Sequence, residues 1–319
     1  MAAAGRAAER EARRRQRELE KEQKFYDKME ELEQAAYEVE CYDNYIDRIT
    51  SIHTEICISI DWQSIFNEPQ PKQPSPENKS EKAARYNFET YSPNFFVKLI
   101  GSTEKTKESL KMEINTAIQT DQVSNQKAIT VYQENLTQWG TQVELAKGVL
   151  ANEPTAYKEA IANVEIFSEV KELGSKLNFR FTDESCVFCT IKVHSKSIIP
   201  EQSKSLLKSG RLTQKNLAKG KFFELYQDYV CGVVLRVANE TFSILPIESI
   251  TVTASDDILD KKTGHIKEQP IVSAFIPRQT LESLNMDLID PSDSMENFIH
   301  QMNFKKTQGF SAVKEVDPL

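Results

Sequence analysis

A chain of 319 residues has room for two or three folded units and a sizeable core. Charged residues make up 28% of it and only 10 residues are glycine, a balance that favours long solvated helices over loop-rich structure. The net charge of −8 excludes attraction of nucleic acid by the molecule as a whole, so only local patches could do so.

Five cysteines, Cys41, Cys57, Cys186, Cys189 and Cys231, are odd in number and irregularly spaced, so no disulfide framework is expected. The densest apolar run, residues 229–235, is far shorter than the roughly 18–20 apolar residues that cross a bilayer. The opening MAAAGRAAEREARRRQ is arginine-rich, yet Glu9, Glu11, Glu18 and Glu20 interleave with it and no apolar face accompanies it, which argues against an import signal. These readings place the chain in a reducing cytoplasm, with no membrane partner.

Residues 7–55 contain neither proline nor glycine and are dominated by good helix formers, which predicts one helix of about 70 Å. Apolar residues at Phe25, Met29, Leu32, Ala36, Val39, Tyr42, Ile46 and Ile49 follow a spacing close to a heptad seam. Such a stripe needs a partner helix, from a second copy or from later in the chain. Nearer the N-terminus, Arg6, Arg10, Arg13, Arg14 and Arg17 form a cationic tip. It is suited either to phosphate or an acidic partner, or to pairing with its own Glu9, Glu11 and Glu18.

Pro69, Pro71, Pro74 and Pro76 mark residues 67–80 as an extended linker. A short helix over 81–91 and an apolar patch (Phe95, Phe96, Val97, Leu99, Ile100) precede Gly101. A second long helix is predicted over 103–150, its repeat clearest from Ala128 through Tyr132, Leu136, Trp139, Val143, Ala146 and Leu150. Gly140 and the polar stretch 120–125 are expected to weaken it. The two long helices could pair antiparallel within one chain or join two copies. Pro154 opens a last helix reaching 173, with Gly174 as its C-cap.

Beyond Gly174 the period becomes two. Strands are predicted over 177–181, 187–193, 249–254 and 270–276, an apolar helix over 217–245, and short helices over 278–284 and 293–302, the last capped by Ser292 or Asp293. The expected organisation is a helix over 1–66, a linker over 67–80, a helical unit over 81–173 and an α+β domain over 174–319, in which a helix packs on a small, mostly antiparallel sheet.

Motifs with chemistry are sparse. Cys186 and Cys189 sit three apart on a strand and point to opposite faces, so they cannot chelate one metal. Asp256, Asp257 and Asp260 lie in a loop with Lys261, Lys262 and His265, without calcium-loop spacing. A nuclease-type reading fails because Asp183 and Glu184 precede Thr190-Ile191-Lys192, with threonine where an acid is needed, and Glu169-Val170-Lys171 falls in a predicted helix. His53, His194, His265 and His300 have no metal or triad spacing, and no glycine-rich phosphate loop is present. The least random charge feature is segment 192–221, where Lys192, Lys196, Lys204, Lys208, Arg211, Lys215, Lys219 and Lys221 face Glu201 alone.

The sequence therefore leads to an interaction or scaffold protein without a cofactor, its coiled-coil helices joining a second copy or a protein partner. The alternative is a nucleic-acid-binding accessory subunit that uses Lys204, Lys208, Arg211, Lys215, Lys219 and Lys221 with Arg10, Arg13, Arg14 and Arg17. An enzyme of unrecognised type is the third class.

Overall fold

The structure is a computed structural model that describes residues 2–54, 59–92, 103–163, 176–182, 186–193 and 196–317; the side chains of 2–18 and of Lys176 lie outside the description. Also outside the described residues fall Cys57, the 95–101 patch, Glu169, Lys171, Gly174, Asp183, Glu184 and His194. The chain is α+β. It divides into one compact unit formed by Met1–Ile60 with Tyr157–Leu319, and a second formed by Asp61–Ala156.

The Asp61–Ala156 unit is built on α4 (Thr103–Leu150), against which α2 (Trp62–Phe66) and α3 (Lys79–Thr90) pack. The proline-rich segment before α3 lies along α4, held by polar side chains of that helix. The Trp139 indole N–H donates to the Glu68 carbonyl at 2.8 Å, and the Asn125 amide clasps both backbone groups of Glu77 at 2.8 and 2.9 Å. The Asp121 carboxylate accepts from the backbone N–H groups of Ser80 and Glu81, capping the start of α3 from outside that helix. The polar stretch 120–125, expected to weaken α4, thus supplies the attachment points of the strap. At the far end Gly148 allows close approach, since a Cβ there would lie 2.7 Å from that of Ala156.

The N–H donor of Glu81, followed by the other donors of that cap, keeps the Asp121 carboxyl below its ordinary value despite burial. A depressed carboxyl stabilises the fold above the ordinary aspartate range and loses that contribution as pH falls through the folded value. Asp121→Asn is expected to fray α3 at neutral pH, read as faster proteolysis within 67–80, with the difference from the parent narrowing on acidification.

In the other unit, α1 (Ala2–Thr50) leads to a domain with strands β1 (Lys176–Phe181), β2 (Val187–Lys192), β3 (Gln202–Leu206), β4 (Leu212–Asn216), β5 (Ser249–Leu259), β6 (Ile266–Pro277), β7 (Ile299–Lys305) and β8 (Gly309–Ser311). Helix α5 (Pro154–Ala162) precedes them, α6 (Lys219–Ile244) lies between β4 and β5, and α7 (Arg278–Glu282) follows β6. The main sheet has the order β1-β2-β5-β6-β7-β8 and is antiparallel except where β2 runs parallel to β5. The crossover between those two strands carries the β3–β4 hairpin and α6.

Helix α6 is buried on nearly all sides because it is apolar all round and is packed from two directions. One side lies on β5 and β6, whose central residues are buried on both faces. The other side meets the end of α1, where Gly232 lets Ile52 approach to within 2.9 Å of where its Cβ would be. Pro246 bars continuation, and the Arg278 guanidinium donates to the carbonyls of Phe242, Leu245 and Ile247, closing the helix end with a cation.

Two expectations change. Residues 293–302 form a short 3-10 turn, Asp293–Asn297, followed by β7, which alternates in exposure along an outer stretch of the sheet. Ser292 holds the N-cap position of that turn but makes no side-chain cap hydrogen bond; Asp290 instead accepts from the backbone N–H groups of Ser292 and Asp293. Residues 202–216, with no apolar alternation, nevertheless pair as β3 and β4 around Gly210 at φ 81°.

Candidate functional site

The described part of α1 has two regimes. Beyond Leu32 one face is fixed to its own domain. Leu32 covers Gly210 of the β3–β4 turn, the Tyr45 hydroxyl donates to the Ile198 carbonyl at 2.6 Å, and Ile49 and Ile52 are buried near α6. The covered stripe runs Leu32, Ala35, Val39, Tyr42, Ile46, Ile49. Ala35 takes the place expected for Ala36, which is exposed, because the cover is a β-hairpin and a crossing helix, not a parallel partner helix. Before Leu32 the seam is bare: Phe25 is 61% exposed and Met29 41%, with Leu19 and Tyr26 exposed beside them, while beyond Leu32 Tyr37 is exposed on the uncovered face.

The basic segment does not form one surface. Lys204 reaches Glu38 of α1 at 2.9 Å, and that ammonium holds the Glu38 carboxyl below its usual range. Lys192 bridges Asp257 at 2.8 Å and Glu268 at 3.5 Å, and Lys221 pairs with Glu224 at 2.8 Å. Strand alternation puts Arg211 and Lys215 on the face of the hairpin opposite Lys204. Lys208, Arg211, Lys215 and Lys219 are exposed, and among the described residues no ion pair engages them. The side chains of Arg10, Arg13, Arg14 and Arg17 lie outside the description.

Of the three aspartates considered as metal ligands, Asp256 and Asp257 belong to the end of β5 and Asp260 opens the turn after it, and they diverge. Asp256 is buried and accepts from the Tyr226 hydroxyl at 2.5 Å, with burial raising its pKa. Asp257 turns to Lys192. Asp260 caps the β5–β6 turn, held down at about 2 by Lys267 first and then by the Lys262 N–H and the Thr263 hydroxyl. No group of three or more metal-type ligands occurs among the described residues. Cys189 and Cys231 are buried thiols whose pKa is driven up by burial, while Cys41 is exposed.

Two features escaped the sequence reading. The first is a titratable junction where α1, α6 and the loop before β7 meet. His53 is buried there, its pKa lowered by burial, while Asp228 is pushed up to about 6, first by burial and then by Asp290 and Glu224 against a hydrogen bond from Ser292. Burial also raises Asp290, but the N–H groups of Asp293 and Ser292 prevail and hold it low. Asp228 and His53 pull in opposite directions with pH. A raised carboxyl favours the fold below about pH 4 and loses that contribution as pH rises through 6, whereas a lowered histidine favours it above 6.5 and loses that contribution on acidification. Asp228→Asn is expected to stabilise the chain by roughly 1–2 kcal/mol at pH 8 and by nothing at pH 4, read from urea midpoints at both.

The second feature is a cavity of about 790 Å³ beside the outer part of the β5–β6 hairpin. Strand β5 leaves β2 after Ser255, so residues 256–259 continue as an arm paired with β6 alone. Lys196, from the turn after β2, and Gln308 and Phe310, from the β7–β8 region, complete its wall. No helix among the described residues is long and apolar enough to cross a membrane. Compared with family models, curated proteins and solved structures, the chain matches none.

Proposed function

We propose that this is a non-enzymatic interaction protein of the cytoplasm, whose α1 associates with α1 of a second copy while the α+β domain anchors the helix and presents further surface. The observation that carries this reading is the bare stretch around Phe25, Tyr26 and Met29, directly before the part of the helix that is locked down. The sequence also supplies a complement for it. Arginines dominate residues 6–17, and Glu30, Glu31 and Glu33 follow the bare stretch. Two antiparallel copies centred near residue 24 would set Arg17 opposite Glu31 and Lys21 opposite Asp27, with Leu19 facing Met29.

Light scattering on the full chain at tens of micromolar tests it. The expected result is a dimer that Phe25→Asp with Met29→Asp turns into a monomer of unchanged helix content; a wild-type monomer sinks the reading. A second reading rests on the exposed Arg211 and Lys215. If their face binds nucleic acid, reversing both to Glu weakens salt-sensitive binding to an oligonucleotide, each contact contributing roughly one unit to the salt slope.

A further inference from the structure

The cavity at the β5–β6 arm is separate from the free face of α1, and its charge is lopsided once its ion pairs are assigned. Asp257 is matched by Lys192 at 2.8 Å and Asp260 by Lys267 at 2.6 Å. Among the described residues no carboxylate comes within ion-pair distance of Lys196, Lys261 or Lys262, all of which line the cavity. These ammonium groups come from two separate segments. Lys196 follows β2 and stands 5.4 Å from the centre of the Phe223 ring, while Lys261 and Lys262 sit in the β5–β6 turn closed by Gly264 at φ 71°. They share one lining because the arm continues past the end of β2.

Apolar side chains also face this cavity. Ile258 lines it from β5, and the Phe310 ring is braced edge-on by Tyr226 at 5.5 Å and by Phe304 at 5.1 Å. A cavity of this size falls within the range of small-ligand sites, and cations without a direct ion pair, Asp256 acting on Lys196 only from beyond ion-pair distance, together with apolar side chains in the lining select an anion that carries an organic body. Metal-dependent turnover has no support here, because the nearby carboxylates are each committed to a different partner.

We propose that this cavity is a binding site for a small organic polyphosphate of the nucleotide type, held without hydrolysis. Lys196, Lys261 and Lys262 take the phosphates, and the flat organic portion rests on Ile258 and the rim of Phe310. Titration calorimetry of the full chain with ATP and with inorganic tripolyphosphate tests this. ATP is expected to bind at sub-millimolar concentration, about tenfold or more tighter than tripolyphosphate. Lys261→Glu with Lys262→Glu is expected to weaken ATP about tenfold or more, and Lys196→Gln by about threefold. Lys105→Glu with Lys111→Glu, on α4, leaves ATP binding unchanged, and circular dichroism confirms that each variant is folded. No ATP binding by the parent at about 1 mM, equal affinity for the two ligands, or undiminished binding by the Lys261/Lys262 variant overturns the assignment.

Discussion

Glu240→Ala is expected to destabilise the chain by about 3–5 kcal/mol, measured as a lower denaturant midpoint at an unchanged slope. Glu240 is 0% exposed and Arg236, one turn before it on α6, is nearly as buried, with 2.5 Å between Nε and Oε1. Two charges brought this far from water cost about as much to desolvate as their attraction returns, so the pair by itself adds little to stability. Removing one member is different, because the guanidinium then loses the carboxylate bonded to its Nε while staying in the interior. The companion experiment is Arg236→Met with Glu240→Leu, which keeps most of the volume and removes both charges. It is expected to recover all but about 1–2 kcal/mol of the loss. A cost below about 1 kcal/mol for Glu240→Ala would show that water or another group compensates the guanidinium.

Ile49→Ala and Phe25→Ala, on the same helix, are expected to behave oppositely. Ile49 is 0% exposed at the junction of α1 with its domain, so its truncation leaves a cavity and is expected to cost about 2–5 kcal/mol. Phe25 meets solvent, and its truncation is expected to change the stability of the isolated chain by no more than about 0.5 kcal/mol while weakening self-association. The contrast separates the anchoring half of α1 from the half proposed to recruit a second copy. Equal losses of stability in the two variants would show that the exposed aromatics are covered within a single chain.

The elements legible in the sequence are those whose burial is set by a local pattern. The length of α1 follows from a proline-free run of helix formers, α6 from an apolar helix with Pro246 at its end, and β5 from the alternation around Ile250 and Val252. The β3–β4 hairpin was not legible, because its residues are polar and it is secured by a turn at Gly210 and by docking against Leu32 and Glu38, some 170 residues earlier. Residues 293–302 were expected as a short helix behind a Ser292 or Asp293 cap; the pairing of β7 with β6 decides the matter and is a tertiary fact. Asp121 and Asn125 looked like flaws in α4 because a helix surface does not announce that its polar groups serve another backbone. At the sites, Lys196, Lys261 and Lys262 were each visible as charges, but their convergence depends on β5 outlasting β2, which no periodicity records.

The division of the chain also bears on how it is made. The apolar face of α1 at Ile49 and Ile52 finds its cover at Gly232, roughly 180 residues later, with the whole Asp61–Ala156 unit synthesised in between. At typical elongation rates of about 5–20 residues per second, that face emerges from the ribosome some 10–40 s before its partner does. The intervening unit can complete its own packing in that time, whereas the apolar end of α1 stays uncovered until α6 has been made.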